Sequence, residues 1–113
     1  MALMGCGALQ PSGETLARAA FEMGAQSPDF AAFLDANRLQ ARKDPWIDPK
    51  TGTQMQCHSK SQGLPLGSVD TVGICYGADG GFVVTQRATH ATFHQEYRYD
   101  AGAENVVLVT DRK

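Results

Sequence analysis

The sequence predicts an α+β fold: two N-terminal helices packed on an antiparallel sheet of three to five strands. Three observations carry this. Helix-capping signals and apolar residues at i, i+4, i+7 spacing fill the first third of the chain. Alternating patterns fill the last third. A strong hairpin signal, Asp79-Gly80, sits between two apolar runs. Helices segregated from strands along one chain argue for α+β.

The first helix opens at Pro11-Ser12. Ser12 is a good N-cap, and Glu14 places a negative charge in the first turn, where the helix dipole favours it. Leu16, Ala20 and Met23 mark one face, widened by Ala17 and Phe21. Gly24 is a natural stop. A second helix follows from Ser27, with Pro28 suited to the first helical position and Asp29 in the first turn. Its face holds Phe30, Phe33 and Leu34, and it ends near Leu39. The Leu16/Phe21/Phe30/Phe33 face is expected to cover one side of the sheet.

Residues 44–52 carry two prolines and a glycine and read as an ordered, turn-rich loop. Residues 55–59 read as a short strand and 62–68 as loop. From Val69 the pattern is sheet. Val72, Ile74 and Tyr76 alternate with Gly73, Cys75 and Gly77. A turn centred on Asp79-Gly80 would place Tyr76 opposite Val83 and Cys75 opposite Val84. Residues 91–100 alternate, with Phe93, Gln95, Tyr97 and Tyr99 on a core face. His90, His94, Glu96, Arg98 and Asp100 are expected on a face in water. Residues 106–110 are apolar on both faces and read as a central or well-covered strand.

With 113 residues the chain fits one domain, placed at 12–113 behind a flexible N-terminal segment, 1–11. Apolar content is 42% and net charge −2. The charges are scattered, without the basic stripe that nucleic-acid binding uses, so nucleic acid is not an expected partner. No run approaches the length of about 18 apolar residues that a membrane-spanning helix needs.

Three cysteines are present. Cys57 and Cys75 can pair as a disulfide, closing a loop of about 18 residues and stabilising by roughly 3 kcal/mol. Cys6 stands in Leu3-Met4-Gly5-Cys6-Gly7, which resembles the cleavage box of a bacterial lipoprotein signal. That resemblance implies a lipidated Cys6 as the membrane anchor and a periplasmic or outer-membrane location. Five residues precede Cys6, so the reading requires the chain to begin inside its signal. The alternative is a cytoplasmic chain with an inert Cys6.

Two clusters can carry metal or thiol chemistry. His90-Ala91-Thr92-Phe93-His94 would share one metal on a helix, where i and i+4 lie about 6 Å apart. On a strand the two are roughly 13 Å apart, and one ion cannot hold both. Alternation favours the strand, leaving the pair as part of a polar interaction face with Glu96 and Arg98. Cys57-His58 with Cys75 lacks a fourth ligand and any Cys-x-x-Cys spacing. A thiol nucleophile at Cys57 would need a nearby histidine base. Trp46, between Pro45 and Pro49, is either a rigid interface contact or a cover for the core's edge. Residues 77–81 lack the Lys-Ser/Thr and the following helix of a phosphate loop.

These residues favour a non-enzymatic binding or assembly module of a bacterial envelope or secreted assembly. It would need no cofactor and would act on a protein partner or on itself as a homo-oligomer. Its contact residues would be Trp46, His90, His94, Glu96 and Arg98. Two alternatives stay open: a small metal- or thiol-dependent enzyme using Cys57, His58, His90 and His94, and a cytosolic homo-oligomeric phage or mobile-element protein.

Overall fold

The computed structural model describes residues 13–63, 69–88 and 94–112. Segment 1–11 with Cys6, the capping Ser12, and His90 lie outside the described residues. Two helices, α1 (Gly13–Met23) and α2 (Phe30–Ala36), precede seven strands. The strands are β1 (Gln40–Ala41), β2 (Trp46–Ile47), β3 (Gln54–Gly63), β4 (Val69–Tyr76), β5 (Phe82–Ala88), β6 (His94–Tyr99) and β7 (Val107–Arg112). All pair antiparallel in one sheet of order β1-β3-β4-β5-β6-β7, with β2 also on the outer side of β3. The α+β class holds. Seven strands replace the expected three to five, because two two-residue strands are added, β1 just before the turn-rich loop and β2 within it, and the polar segment after Met55 extends to Gly63.

The first helix ends as its sequence dictates. Gly24 adopts φ +87° and its N–H donates to the Ala20 carbonyl. α2 is shorter than expected. It begins at Phe30 after a turn in which the Ser27 hydroxyl accepts the Asp29 N–H. It closes with Leu39 N–H donating to the Leu34 carbonyl and Arg38 N–H to the Asp35 carbonyl. That closure puts Arg38 at φ 61°, the left-handed position where glycine is preferred. Side chains there cost about 1 kcal/mol or more. Arg38→Gly should therefore stabilise the protein by about 1 kcal/mol, read as a higher urea midpoint. An unchanged or lower midpoint would show that the exposed Arg38 side chain contributes more than the backbone strain.

The helices cover one face of the sheet. Leu16, Ala17, Ala20, Phe30, Leu34 and Leu39 pack on Val72, Ile74, Phe82, Val84 and Tyr97. Phe21 and Phe33 lie half-buried at the margin. The Gly13 N–H reaches Gln86 Oε1 at 2.6 Å, and the Gln26 amide donates to the Ala78 carbonyl at 2.7 Å. These bonds pin the helical corner to β5 and to the β4–β5 turn.

That turn corrects the expected register by one residue. Cys75 faces Val83 and Tyr76 faces Phe82. Gly77 N–H donates to the Gly81 carbonyl, and Gly80 N–H to the Gly77 carbonyl. Only Gly80, at φ +94°, is left-handed. A two-residue type I′ loop needs positive φ at both centres. Here Ala78, Asp79 and Gly80 form a three-residue loop, a type I turn followed by a left-handed glycine. Asp79 Oδ1 accepts the Gly81 N–H and fixes it.

Two further expectations change. Arg98 is buried, because residues 44–53 fold over the face that alternation assigned to water. β7, expected to be covered, is an edge strand, with Val107, Leu108 and Val109 exposed.

Candidate functional site

The face away from the helices is built by the second row of each strand. Cys57 and Cys75 are direct register partners on β3 and β4, with Cα atoms 4.0 Å apart, and they form a disulfide. One step along, Ser59 faces Gly73. A Cβ at Gly73 would stand 3.2 Å from the Ser59 Cβ and 3.3 Å from the His58 carbonyl. Glycine therefore keeps the middle of this floor flat and close to β3.

The segment joining β1 to β2 stands over the outer side of this floor. Arg42 N–H donates to the Cys57 carbonyl at 2.8 Å. Trp46 pairs with Met55 and is half-buried. Between this segment and the sheet runs an open groove of about 440 Å³. Trp46, the disulfide and Gly73 line its middle. Arg42 and Asp44 stand at the loop side, Arg87 and Glu96 toward β5 and β6. Each end thus offers one guanidinium and one carboxylate. The volume is in the range of small-ligand and peptide sites, which are concave, largely apolar and edged by a few polar groups.

The loop is locked by a buried ion pair. Asp48 is fully buried and Arg98 is 7% exposed. Arg98 Nη1 donates to Asp48 Oδ1 at 3.2 Å, and Nη2 donates to Oδ2 in a second short contact, giving a bidentate fork. Arg98 Nε donates to Asp100 at 2.8 Å, and the exposed Lys50 Nζ reaches the same carboxylate at 3.2 Å. Asp48 also accepts the Lys50 N–H and the Thr51 hydroxyl. The hydrogen bonds from Arg98 hold the Asp48 carboxyl below the ordinary carboxylate range, against the opposing effect of burial. Asp100 is lowered for the same first reason. The turn that carries Asp48 is therefore tied to β6, fifty residues away.

The residues singled out from sequence scatter around this frame. Cys57 and Cys75 floor the groove. In the disulfide, Cys57 offers no thiolate. The His58 ring lies on the opposite face, stacked on Tyr76 with Nε2 3.2 Å from the phenol oxygen. His94 and Glu96 lie half-buried on β6, and Glu96 reaches the groove. Arg98 holds the loop and presents little surface. His94 opens β6, while His90, its partner in the His-x-x-x-His pattern, lies outside the described residues. Among the described residues no three His, Cys, Asp or Glu side chains gather to hold a metal. Arg42, Arg87 and Asp48 were not singled out from sequence. Only Asp48 had a local signal, in Asp48-Pro49-Lys50-Thr51-Gly52, which announces a turn but not its partner.

No protein-family model, curated protein or solved structure matches this chain.

Proposed function

We propose that this chain is a non-enzymatic binding module of an oxidising, extracytoplasmic compartment, and that it holds a segment of a protein partner in the groove beside Trp46. The observation that carries the reading is the groove itself: a preformed concavity whose loop wall is fixed by the buried Asp48–Arg98 pair. A wall fixed in advance loses little freedom on binding, so contact there retains more of its affinity. Trp46 supplies the rigid aromatic anchor typical of interface hot spots. The Cys57–Cys75 disulfide supports the compartment, since such bonds persist in secreted and periplasmic proteins and are rare in the cytosol. Anchoring through a lipidated Cys6 belongs to the same proposal.

The test is site-specific photocrosslinking in the native cell. A photoreactive residue at Thr71, which lines the groove, should yield a defined adduct. The same residue at Glu22, exposed on α1, should not. Trp46→Ala should keep the fold, remove the Thr71 adduct and weaken partner binding by about 2 kcal/mol or more. Equal adducts at both positions, or a Thr71 adduct indifferent to Trp46→Ala, would refute the groove as the binding site. Free Cys57 and Cys75 thiols in cells lysed under alkylation would refute the compartment.

A further inference from the structure

We propose that β7 is the interface of a symmetric homodimer, in which two copies pair β7 against β7 antiparallel and join their sheets into one. This is independent of the groove, which lies against the β1–β2 segment, β2–β5 and Glu96.

The two edges of the sheet are treated in opposite ways. The β1/β2 edge is broken into two two-residue strands, separated by Arg42, Lys43, Asp44 and Pro45. Short strands, charges and proline are the devices that stop an edge from pairing with another chain. At the other edge, residues 106–109 are Val-Val-Leu-Val, with no charge and no proline. Val107, Leu108 and Val109 are 58%, 44% and 52% exposed. β7 pairs with β6 alone among the described strands, so its outer backbone row has no strand beside it there. A run apolar on both faces is the pattern of a strand with neighbours on each side. Residues 106–109 have the composition of an interior strand and the position of an edge.

An open backbone row selects an extended strand as its occupant. Self-complementarity selects a second copy. With Leu108 opposite its own symmetry mate, Val107 meets Val109 of the second copy and Val106 meets its Thr110, so the apolar run pairs with itself. The bulge near Glu96/Tyr97 leaves Val109 without a direct β6 partner, while 107–108 stay in regular register. The helix side repeats the match. Beside Val106 and Leu108 lies a cleft of about 240 Å³, whose other wall is Glu14, Ala17 and Arg18 of α1. Glu14 and Arg18 are exposed and of opposite sign, 3.2 Å apart. A two-fold axis through β7 brings α1 toward its mate, so that Glu14 of one copy can face Arg18 of the other. A C2 contact requires this kind of self-match, in which one patch serves both subunits.

The full oxidised chain should sediment as a dimer at about 0.1 mM and dissociate on dilution. Val107→Lys and Val109→Lys, at positions already more than half exposed, should each raise the dimer dissociation constant at least about ten-fold. Their circular dichroism and intact disulfide would show the monomer fold unchanged. Ile47→Lys, 54% exposed on the opposite edge, should leave the constant unchanged. Glu14→Arg and Arg18→Glu should each weaken the dimer, and their combination should recover it. A monomeric wild type at 0.1 mM would overturn the proposal. A dimer insensitive to both β7 lysines, or broken by Ile47→Lys, would overturn it as well.

Discussion

Replacing Cys57 and Cys75 together by serine should lower stability by about 3 kcal/mol. The bond closes a loop with a sequence separation of 18 residues, and its effect lies chiefly in the unfolded chain, which it denies many open conformations. In the folded state β3 and β4 already pair over eight register positions, from Gln56↔Tyr76 to Gly63↔Val69. The double serine variant should therefore fold to the same sheet. With an m-value near 2 kcal/mol/M, the urea midpoint should fall by roughly 1.5 M. The m-value should rise as well, because the uncrosslinked chain exposes more surface when it unfolds. Equilibrium urea unfolding followed by Trp46 fluorescence measures both. A midpoint within about 0.3 M of the wild type would show that the unfolded chain gains nothing from the link.

The pairing behind this prediction was legible in sequence because both cysteines fall in strand-like segments and the competing metal set lacks a fourth ligand and any Cys-x-x-Cys spacing. The helices were legible because i, i+4 spacing and the Gly24 stop are local signals, although the second helix starts at Phe30 and not at the Ser27-Pro28 signal. Where the reading failed, the missing information was not local. Asp79-Gly80 announces a hairpin, but the loop length depends on Gly81 bonding back to Gly77. The alternation from Gln95 to Tyr99 gives the two faces of β6 correctly. It cannot say that residues 44–53 will cover the polar one and bury Arg98. β3 carries Gln, His, Ser and Lys and has weak strand propensity. It forms because it is paired on both sides, by β1 and β2 outside and β4 inside. The apolar run in β7 reads as a covered strand, but its place at the sheet edge, with Val107, Leu108 and Val109 exposed, is set by strand order, which no local pattern records. The groove combines three of these non-local facts, so little of it could be read from sequence beyond Trp46 and the cysteines.

Arg98→Met should cost about 3–5 kcal/mol at neutral pH, the range for breaking one half of a buried ion pair. The methionine fills much of the same volume, so the loss is electrostatic. Asp48 is left fully buried without its cation, keeping only the Lys50 N–H and the Thr51 hydroxyl. Asp48→Asn should cost less, about 1.5–3 kcal/mol, because Arg98 retains Asp100 as a partner and Asn can still accept the Lys50 N–H. The pH dependence separates the two variants. In the wild type the hydrogen bonds from Arg98 hold the folded-state Asp48 carboxyl below the ordinary carboxylate range. Its contribution is therefore fully present above the unfolded value and is lost as pH falls through the folded one. In Arg98→Met the sign reverses. Burial without a cation favours the neutral carboxyl, so the penalty is full at neutral pH and shrinks as acid neutralises Asp48. The stability gap between wild type and Arg98→Met should narrow steadily as the pH is lowered from 7 toward 4, while the gap for Asp48→Asn stays nearly flat over the same interval. Urea titrations at several pH values read both gaps. A gap for Arg98→Met that does not change with pH would mean that its loss is one of packing, and that the loop wall of the groove is held by shape and not by charge.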